Sequence, residues 1–202
     1  MIYTQIHKPA SYEDLLSCDE WIEFRQKIVT RDLKRCQHCS MMKTSLLRKS
    51  NGELVTENGK AVHCYLERND TPPPQYVPSS STFNFTNVID NNDRKYFNLI
   101  KPGRQVVLHV HHKMYYGDKL PWEYKDEEVV TLCDKCHFDC HLSEVIPFYD
   151  NSIQKRITNY SNCIRCSGFG FFPEYHHVQK GICFRCKGNK YEELIGKNFV
   201  NR

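Results

Sequence analysis

Four Cys-x-x-Cys pairs constrain what this chain of 202 residues can fold into more than any other feature of its sequence. Two thiolates three positions apart can bind one tetrahedral zinc ion from a single tight turn. Four pairs provide enough thiolates for two closed zinc sites. A redox site of the thioredoxin type would need only one pair, at the start of a helix, so the pattern favours zinc. The pairs are Cys36/Cys39, Cys133/Cys136, Cys163/Cys166 and Cys183/Cys186.

The composition argues against a membrane protein and against an exported one. No apolar run approaches the ~20 residues that span a bilayer, and residues 1–10 lack a basic start followed by an apolar stretch. The 11 cysteines, an odd number without an export signal, argue against a disulfide framework. We therefore expect a cytoplasmic protein. The net charge of +4 arises in the last 60 residues, which suits either a polyanionic partner or an ordinary surface.

The first periodic segment predicts a helix that ends before Cys36. Ser17 and Glu20 have the spacing of a capping box at its start. Apolar residues then recur at roughly helical spacing and form the side that we expect to face the core: Trp21, Phe24, Ile28 and Leu33.

The middle of the chain predicts two strands and a helix. Residues 105–112 are rich in β-branched side chains and end in two adjacent histidines. A long loop over 115–126 separates them from a second short strand at 128–132, and a helix is predicted from 134 to about 144.

Three histidines of this segment can meet at one ion, with a fourth beside it. His137 and His141 lie four apart and hence on one face of the predicted helix. A strand–loop–strand–helix unit can bring His111 onto the same ion, while His112 points to the other side of its strand and stands beside it. Three imidazoles leave coordination positions open for water and substrate, as a catalytic site requires. The alternative is that the histidines form another structural zinc site.

This combination resembles the HNH endonucleases of the ββα-metal, or His-Me finger, superfamily. The residues that carry the resemblance are His111-His112, Trp122-Glu-Tyr before an acidic turn, and Leu132-Cys-Asp-Lys-Cys-His-Phe-Asp-Cys-His141. The segments 21–40 and 105–142 are most similar to zinc-containing prokaryotic and phage-type members. The His-x-x-x-His ending is similar to the colicin-type nuclease toxins.

The resemblance implies a role for each matching residue. His112 falls at the general base, which takes a proton from the water that attacks phosphorus, and His111, His137 and His141 fall at the ligands of a single catalytic metal. Glu128 stands where relatives have the asparagine that orients the base. Family products carry 5′-phosphate and 3′-hydroxyl ends.

Two features of the ligand set leave the catalytic metal open. His111 stands where many relatives have an aspartate, and an all-imidazole site accepts Zn²⁺, Ni²⁺ or Mn²⁺ more readily than Mg²⁺. His109 shares a strand face with His111 and is a competing ligand.

The C-terminal cysteines form an internal repeat, Cys163-Ile-Arg-Cys166-Ser-Gly168 and Cys183-Phe-Arg-Cys186-Lys-Gly188. The spacing between the pairs is that of a zinc ribbon. The first half is similar to half of the cysteine-rich region of DnaJ-type chaperones. Basic side chains interleaved with aromatic ones either contact nucleic acid or surround a small ribbon core. The basic ones are Arg165, Lys180, Arg185, Lys187 and Lys190, and the aromatic ones are Phe169, Phe171, Phe172, Tyr175 and Phe184.

The sequence therefore predicts an α+β protein. A small ββα-metal core held by a four-cysteine zinc site occupies 1–148, with a long insertion at 41–104 that contains an Asn58-Gly59 hairpin. A connector at 149–161 leads to a zinc ribbon at 162–202. We expect two structural Zn²⁺ ions and one catalytic divalent metal, which is Mg²⁺, Mn²⁺, Ni²⁺ or Zn²⁺.

The function expected from these features is that of an HNH endonuclease that cuts double-stranded DNA in a defence, restriction or mobile-element setting, with room for an activating protein partner. The alternative is a non-catalytic, zinc-dependent adaptor that binds nucleic acid or protein. A weaker alternative, which rests only on the DnaJ-like half-repeat, is a redox or chaperone-like zinc protein.

Overall fold

The computed structural model describes residues 15–69, 84–90, 93–153, 157–172, 175, 178 and 181–196. The protein mixes helices with small sheets, which confirms the predicted α+β class. It forms two compact units: one contains the described residues up to Ser40 and those from His109 onward, and the other is Met41–Leu108. Within the described ranges, no helix has the length and apolar character needed to cross a membrane.

Helix α1, Asp19–Arg31, opens the first unit. The predicted capping box is wrong, because Cys18 and not Ser17 occupies the N-cap position and no side chain caps the helix there. The carboxylates of Asp19 and Glu20 in the first turn offset part of the missing cap, because negative charge interacts favourably with the positive end of the helix dipole. Leu33 is also misplaced in the predicted apolar stripe. It lies past the end of the helix in a left-handed turn, with φ of 56°, and is 75% exposed.

The second unit consists of a sheet and a small hairpin. β1 (Ser45–Leu46), β4 (His63–Asn69), β6 (Asp93–Ile100) and β5 (Asn84–Asp90) form an antiparallel sheet in that order. The hairpin joins β2 (Thr56–Glu57) to β3 (Lys60–Ala61). Its turn residues Asn58 and Gly59 have φ of 51° and 74°, which is the geometry of a two-residue primed turn and confirms the predicted hairpin. Thus the predicted insertion has a sheet of its own.

The strand that carries the histidines is shorter than predicted. β7 spans Leu108–His112. Before this strand, the backbone of Val106 is hydrogen-bonded to Thr44. The N–H of Val106 donates to the Thr44 hydroxyl, and the carbonyl of Val106 accepts from the Thr44 N–H. The expected strand therefore loses its first three residues.

The ββα unit itself is present. β7 pairs with β9, Val129–Cys133, and helix α2, Asp134–Ser143, follows β9 without a break. Cys133 is the N-cap of α2, and its Sγ accepts the N–H of Cys136. The end of the strand, the start of the helix and a cysteine pair thus coincide.

The loop after β7 contains regular structure that the sequence did not predict. β8 (Tyr115–Tyr116) pairs with β10 (Phe148–Tyr149), which pairs with β11 (Ile157–Thr158). A short 3-10 helix, Asp126–Glu128, leads into β9. The predicted connector at 149–161 therefore takes part in a three-stranded sheet, and its residues 154–156 lie outside the described ones.

The core of the first unit lies between α1 and the β7–β9 pair. Its buried side chains come from the helix, both strands and the loop between them, so burial of one cluster fixes the helix against the strands. The buried members are Trp21, Ile28, Val110, Tyr116, Tyr124 and Val129.

A buried carboxylate links the end of α1 to β9. Asp32 accepts the Thr131 N–H at 2.8 Å and two hydrogen bonds from the guanidinium of Arg31. The Gln37 N–H donates to the carbonyl of Thr131 at 2.9 Å, so the first cysteine turn is tied to the same strand. Burial opposes ionisation of Asp32, but the hydrogen bonds from Arg31 and Thr131 outweigh it and lower the pKa of this carboxyl.

We expect Asp32→Ala to lower the free energy of unfolding by about 2–3 kcal/mol, because the Thr131 N–H loses its acceptor in the interior. Since the pKa of Asp32 is lower in the folded chain than in the unfolded one, its charge stabilises the fold above the unfolded value of ~3.9. That contribution disappears as the pH falls through the folded value. Urea unfolding at a series of pH values measures both effects.

The matched control is Asp139→Ala, which removes an exposed carboxylate paired with Lys135 on α2. Exposed pairs of this kind contribute at most about 1 kcal/mol, so we expect a change within about 0.5 kcal/mol. Equal losses in the two variants would contradict the link between α1 and β9.

Candidate metal centres and active site

The first cysteine cluster joins the turn after α1 to the start of α2. The Sγ atoms of Cys36, Cys39, Cys133 and Cys136 lie within 4.8 Å of one another, and those of Cys39 and Cys133 are 3.6 Å apart. Four sulfur atoms bound to a tetrahedral zinc ion at about 2.3 Å would be about 3.8 Å apart. Burial opposes ionisation of Cys36, but hydrogen bonds from the backbone N–H groups of Cys133, Cys39 and His38 outweigh it and lower the pKa of this thiol. The cluster therefore fits a structural zinc ion.

The second cluster has the same geometry. The Sγ atoms of Cys163 and Cys183 are 3.9 Å apart, and those of Cys166 and Cys186 are 3.7 Å apart. All four thiols are buried. A hydrogen bond from the Cys166 thiol, helped by backbone N–H groups and opposed by burial, lowers the pKa of Cys186 to about 5. A thiolate is the form that binds zinc, so this cluster could hold a second structural ion.

Three imidazoles meet at one point beside α2. Ligand nitrogens of His111, His137 and His141 lie within 4.8 Å of one another. The ring centroids form a nearly equilateral triangle with sides of 5.1, 5.0 and 4.9 Å, and the ring planes are 76–89° apart. The Nδ1 atom of His111 is buried and has no hydrogen-bond partner among the residues that the structure describes. An edge-on triangle with an unpartnered buried nitrogen fits three ligands of one metal ion.

The imidazoles are held in their neutral, metal-binding form. Burial, followed by the positive charge of Lys190, lowers the pKa of His111 to about 4 and that of His141 to about 2. Burial also holds the pKa of His137 well below its usual value, together with the charges of the neighbouring imidazoles. A neutral imidazole keeps the lone pair that a metal ion needs.

His109 is not a member of this triangle among the described residues. Its ring stacks on that of His137, with centroids 5.2 Å apart and planes within 10° of parallel. The competing ligand considered from the sequence therefore packs against a ligand instead.

His112 points away from the triangle and is fixed by a backbone carbonyl. Its Nε2 lies 2.9 Å from the oxygen of Pro121. A carbonyl can only accept, so Nε2 carries the proton and Nδ1 has the free lone pair in the neutral ring. Burial, with the charge of Lys190, lowers the pKa of His112 to about 3. Trp21 stacks on the ring and the edge of Tyr124 meets it, so the side chain is only 4% exposed.

A pocket connects His112 with the triangle. It has a volume of about 580 Å³, counted with its open mouth, and His112, His109, His137, Arg25 and Lys190 are among its lining residues. The fixed imidazole and one ligand of the triangle are therefore accessible from the same space.

The carboxylate of Glu128 binds residues of the loop after β7 and not the imidazole of His112. Its carboxylate accepts the hydroxyl of Tyr116 at 2.7 Å and the backbone N–H of Lys125 at 2.9 Å, and Lys119 lies 3.3 Å away. Burial opposes ionisation, but these hydrogen bonds and the Lys119 charge lower the pKa of Glu128. The backbone carbonyl of Glu128 also accepts the N–H of Lys113, the residue after His112. Glu128 thus fixes the loop that contains Pro121.

The proposed nucleic-acid contacts in the ribbon have different environments. Arg165 lies over the rings of Phe172 and Phe184 and lines a groove beside His137. Arg185 pairs with Glu192, which also caps the backbone N–H of Ile164, so its charge supports the ribbon. Lys187 is exposed. Lys180 lies outside the described residues.

Phe169 and Lys190, which the sequence places only in the ribbon, lie beside the histidines in the structure. Phe169 packs on His141 and His137 with ring centroids 4.5 and 5.5 Å apart, and Lys190 lines the pocket beside His112. Burial lowers the pKa of Lys190 to about 7, although nearby thiolates oppose this shift. Both residues belong to the C-terminal repeat, which the sequence treats as a separate ribbon. The available signal was the repeat itself, because Lys190 occupies the position that Gly170 has in the first half.

No protein-family model, curated protein or solved structure matches the chain. The resemblance to HNH endonucleases therefore rests on the chain's own residues and their geometry.

The clusters predict how much metal the purified protein retains. We expect two tightly bound zinc ions per chain after dialysis, one in each cysteine cluster, and a third, exchangeable divalent ion at the histidine triangle. Cys183→Ala should lose one zinc ion, and His141→Ala should lose only the exchangeable ion. Elemental analysis per mole of protein gives these counts.

Cys64→Ala is the control, because this buried thiol lies in the second unit and outside both clusters. It should keep both zinc ions. Full zinc content in Cys183→Ala would contradict the assignment of the second cluster.

The loop predicts a difference between two adjacent glutamates. Glu128→Gln removes the charge that faces Tyr116, Lys119 and the Lys125 N–H, so we expect the free energy of unfolding to fall by about 2 kcal/mol. Glu127→Gln changes an exposed neighbour in the same short helix and should stay within about 0.5 kcal/mol. Urea unfolding of both variants tests the assignment, and equal stabilities would contradict it.

Proposed function

We propose that this chain is a metal-dependent HNH endonuclease that hydrolyses phosphodiester bonds of DNA. The observation that carries the proposal is the triangle of three neutral imidazoles beside a fourth imidazole whose Nε2–H is held by the Pro121 carbonyl. The order of two paired strands and a helix in which these residues lie supports the same reading. A cytoplasmic defence, restriction or mobile-element setting is part of the proposal.

His111, His137 and His141 would hold the catalytic ion. All three are neutral and buried or half-buried, and the triangle leaves the remaining coordination positions to non-protein ligands. A divalent ion there supplies positive charge against the charge that develops on the phosphate and on the leaving oxygen.

His112 is the general base of the proposed reaction. With Nε2 donating to the carbonyl of Pro121, the Nδ1 lone pair accepts a proton from water, and the water oxygen attacks phosphorus. The bond from phosphorus to the 3′ oxygen breaks, and that oxygen takes a proton from solvent. The hydrogen bond to Pro121 becomes stronger as the imidazole gains charge, so the carbonyl stabilises the protonated base.

The loop between β8 and β9 positions the base. Glu128 holds this loop by its hydrogen bonds to Tyr116 and Lys125, and the loop presents the carbonyl of Pro121 to His112. Glu128 is therefore a positioning residue in this proposal, which acts through the loop and does not touch the reacting atoms.

Burial of His112 favours the second candidate, a non-catalytic adaptor held together by zinc. The side chain is 4% exposed and packs between Trp21 and Tyr124 as a core residue would. In that case the histidine triangle holds a structural ion, and the ribbon with Arg165 and Lys187 contacts the partner.

The test is plasmid cleavage by the purified full-length chain with added Mg²⁺, Mn²⁺, Ni²⁺ or Zn²⁺. We expect cutting with at least one ion and a loss of about 10²–10⁴-fold in rate for His112→Ala, which is the usual contribution of a general base. The structural zinc content of this variant should equal that of the wild type.

His63→Ala removes a histidine of the second unit and should cut at the wild-type rate. Equal rates for His112→Ala and wild type would remove the base assignment. The absence of cutting with all four ions would favour the adaptor.

A further inference from the structure

We propose that Lys190 of the C-terminal cysteine repeat contacts a phosphate oxygen of the bound nucleic acid, so that the repeat completes the site of the ββα unit. This inference rests on the proposed function and adds a substrate-binding residue that the HNH-like segments do not contain. Lys190 lies four residues after Cys186 and outside both segments that resemble HNH endonucleases.

The position of the ammonium supports the contact. Lys190 is 8% exposed and lines the pocket that contains His112 and His137. Its Nζ lies 4.0 Å from the centre of the Tyr115 ring and donates a hydrogen bond to the Tyr115 hydroxyl. Tyr115 follows His112 by three residues and begins β8, so the repeat contacts the strand that comes directly after the proposed base.

The charge of the pocket favours an anion. Two basic side chains, Lys190 and Arg25, line it beside the imidazoles of His109, His112 and His137. These imidazoles are neutral, and a divalent ion on the triangle would add more positive charge. A phosphodiester oxygen is the partner that a positive, largely apolar pocket stabilises most.

The backbone shows that the fold does not require a lysine here. Both halves of the repeat have a residue with positive φ four positions after the second cysteine: Gly170 has φ of 82° and Lys190 has φ of 70°. Glycine adopts this conformation without steric cost, whereas other residues do so at a cost of about 1–2 kcal/mol. The chain therefore carries a strained lysine at the one copy of this position that lines the pocket.

The repeat is also packed on the helix that carries two of the ligands. Phe169 contacts the rings of His137 and His141. The ring centroid of Phe169 is also 5.1 Å from that of Phe138 on α2. The aromatic contacts give Lys190 a fixed place beside the triangle. A side chain placed in this way can bind a phosphate without a further conformational change.

The experiment measures binding of the full chain to a short DNA duplex by fluorescence anisotropy, without added divalent ion, over a range of salt concentrations. Each phosphate contact contributes about 0.9 to the slope of log K against log salt. We expect Lys190→Met to weaken binding and to reduce the slope by about 0.9, and Lys190→Arg to keep the slope.

Lys34→Met is the matched control, because it removes an exposed lysine in the turn after α1 and should leave the slope unchanged. Zinc content confirms that each variant is folded. If Lys190→Met loses zinc, Lys190→Gln takes its place, since its polar end suits the hydrogen bond to Tyr115.

An equal slope for wild type and the neutral variants would overturn the phosphate contact, as would a wild-type chain that does not bind the duplex. Both results are separate from the nuclease proposal, which plasmid cleavage tests. A reduced slope in a chain that never cuts would retain Lys190 as a phosphate contact and reject the nuclease.

Discussion

The closure of the first cysteine cluster is the constraint on which the rest of the first unit depends. Cys39 and Cys133 are separated by 94 residues, and closing a flexible loop of that length costs about 4 kcal/mol plus a constant. Structural zinc binding contributes about 10–16 kcal/mol in small zinc domains, so the ion can offset this cost with a large margin. Because Cys133 is also the last residue of β9 and the N-cap of α2, the same closure sets the direction of the helix. The direction of this helix in turn sets the positions of His137 and His141, which lie four residues apart on it. The position of the Cys133 thiol therefore helps to bring these two imidazoles to His111.

The sequence predicts the parts of the site that depend on spacing. Pairs of cysteines three apart, histidines four apart and adjacent histidines on a strand each have one simple geometric outcome, and the clusters and the triangle agree with it. The failures lie where tertiary partners decide. Thr44 takes the backbone of Val106 out of the expected strand, and the helix that was expected to include Leu33 ends at Arg31. The carbonyl of Pro121 that holds His112 has no sequence signature at all, because any residue provides a carbonyl and only the path of the loop brings this one within reach.

Burial has two opposite effects on the proposed chemistry. It keeps the four imidazoles neutral, which suits metal binding, and it keeps the site dry, which strengthens the interaction of charges inside it. The same burial lowers the pKa of His112 to about 3 and so makes this imidazole a weaker base. A base that is 4% exposed must nevertheless reach a water molecule and a phosphate. The pocket that His112 shares with His137 is one route that the first unit provides, and its walls come from both the ββα unit and the repeat. The distinction between a buried structural histidine and a catalytic one therefore depends on this pocket and not on the burial of the ring alone.

The two halves of the C-terminal repeat meet one backbone requirement with different residues. Each half needs a left-handed residue where the chain leaves its cysteine turn, and a glycine meets that need in the first half. Close approach explains the glycine there, since a Cβ at Gly170 would lie 3.0 Å from the carbonyl oxygen of Gly188. In the second half Lys190 accepts the strained conformation, and its side chain extends to Tyr115. A zinc ion bound by the cysteines would stabilise this turn enough to hold one strained residue in place. The fold of the repeat needs only a glycine there, so the lysine can provide the charge that we propose for the neighbouring site.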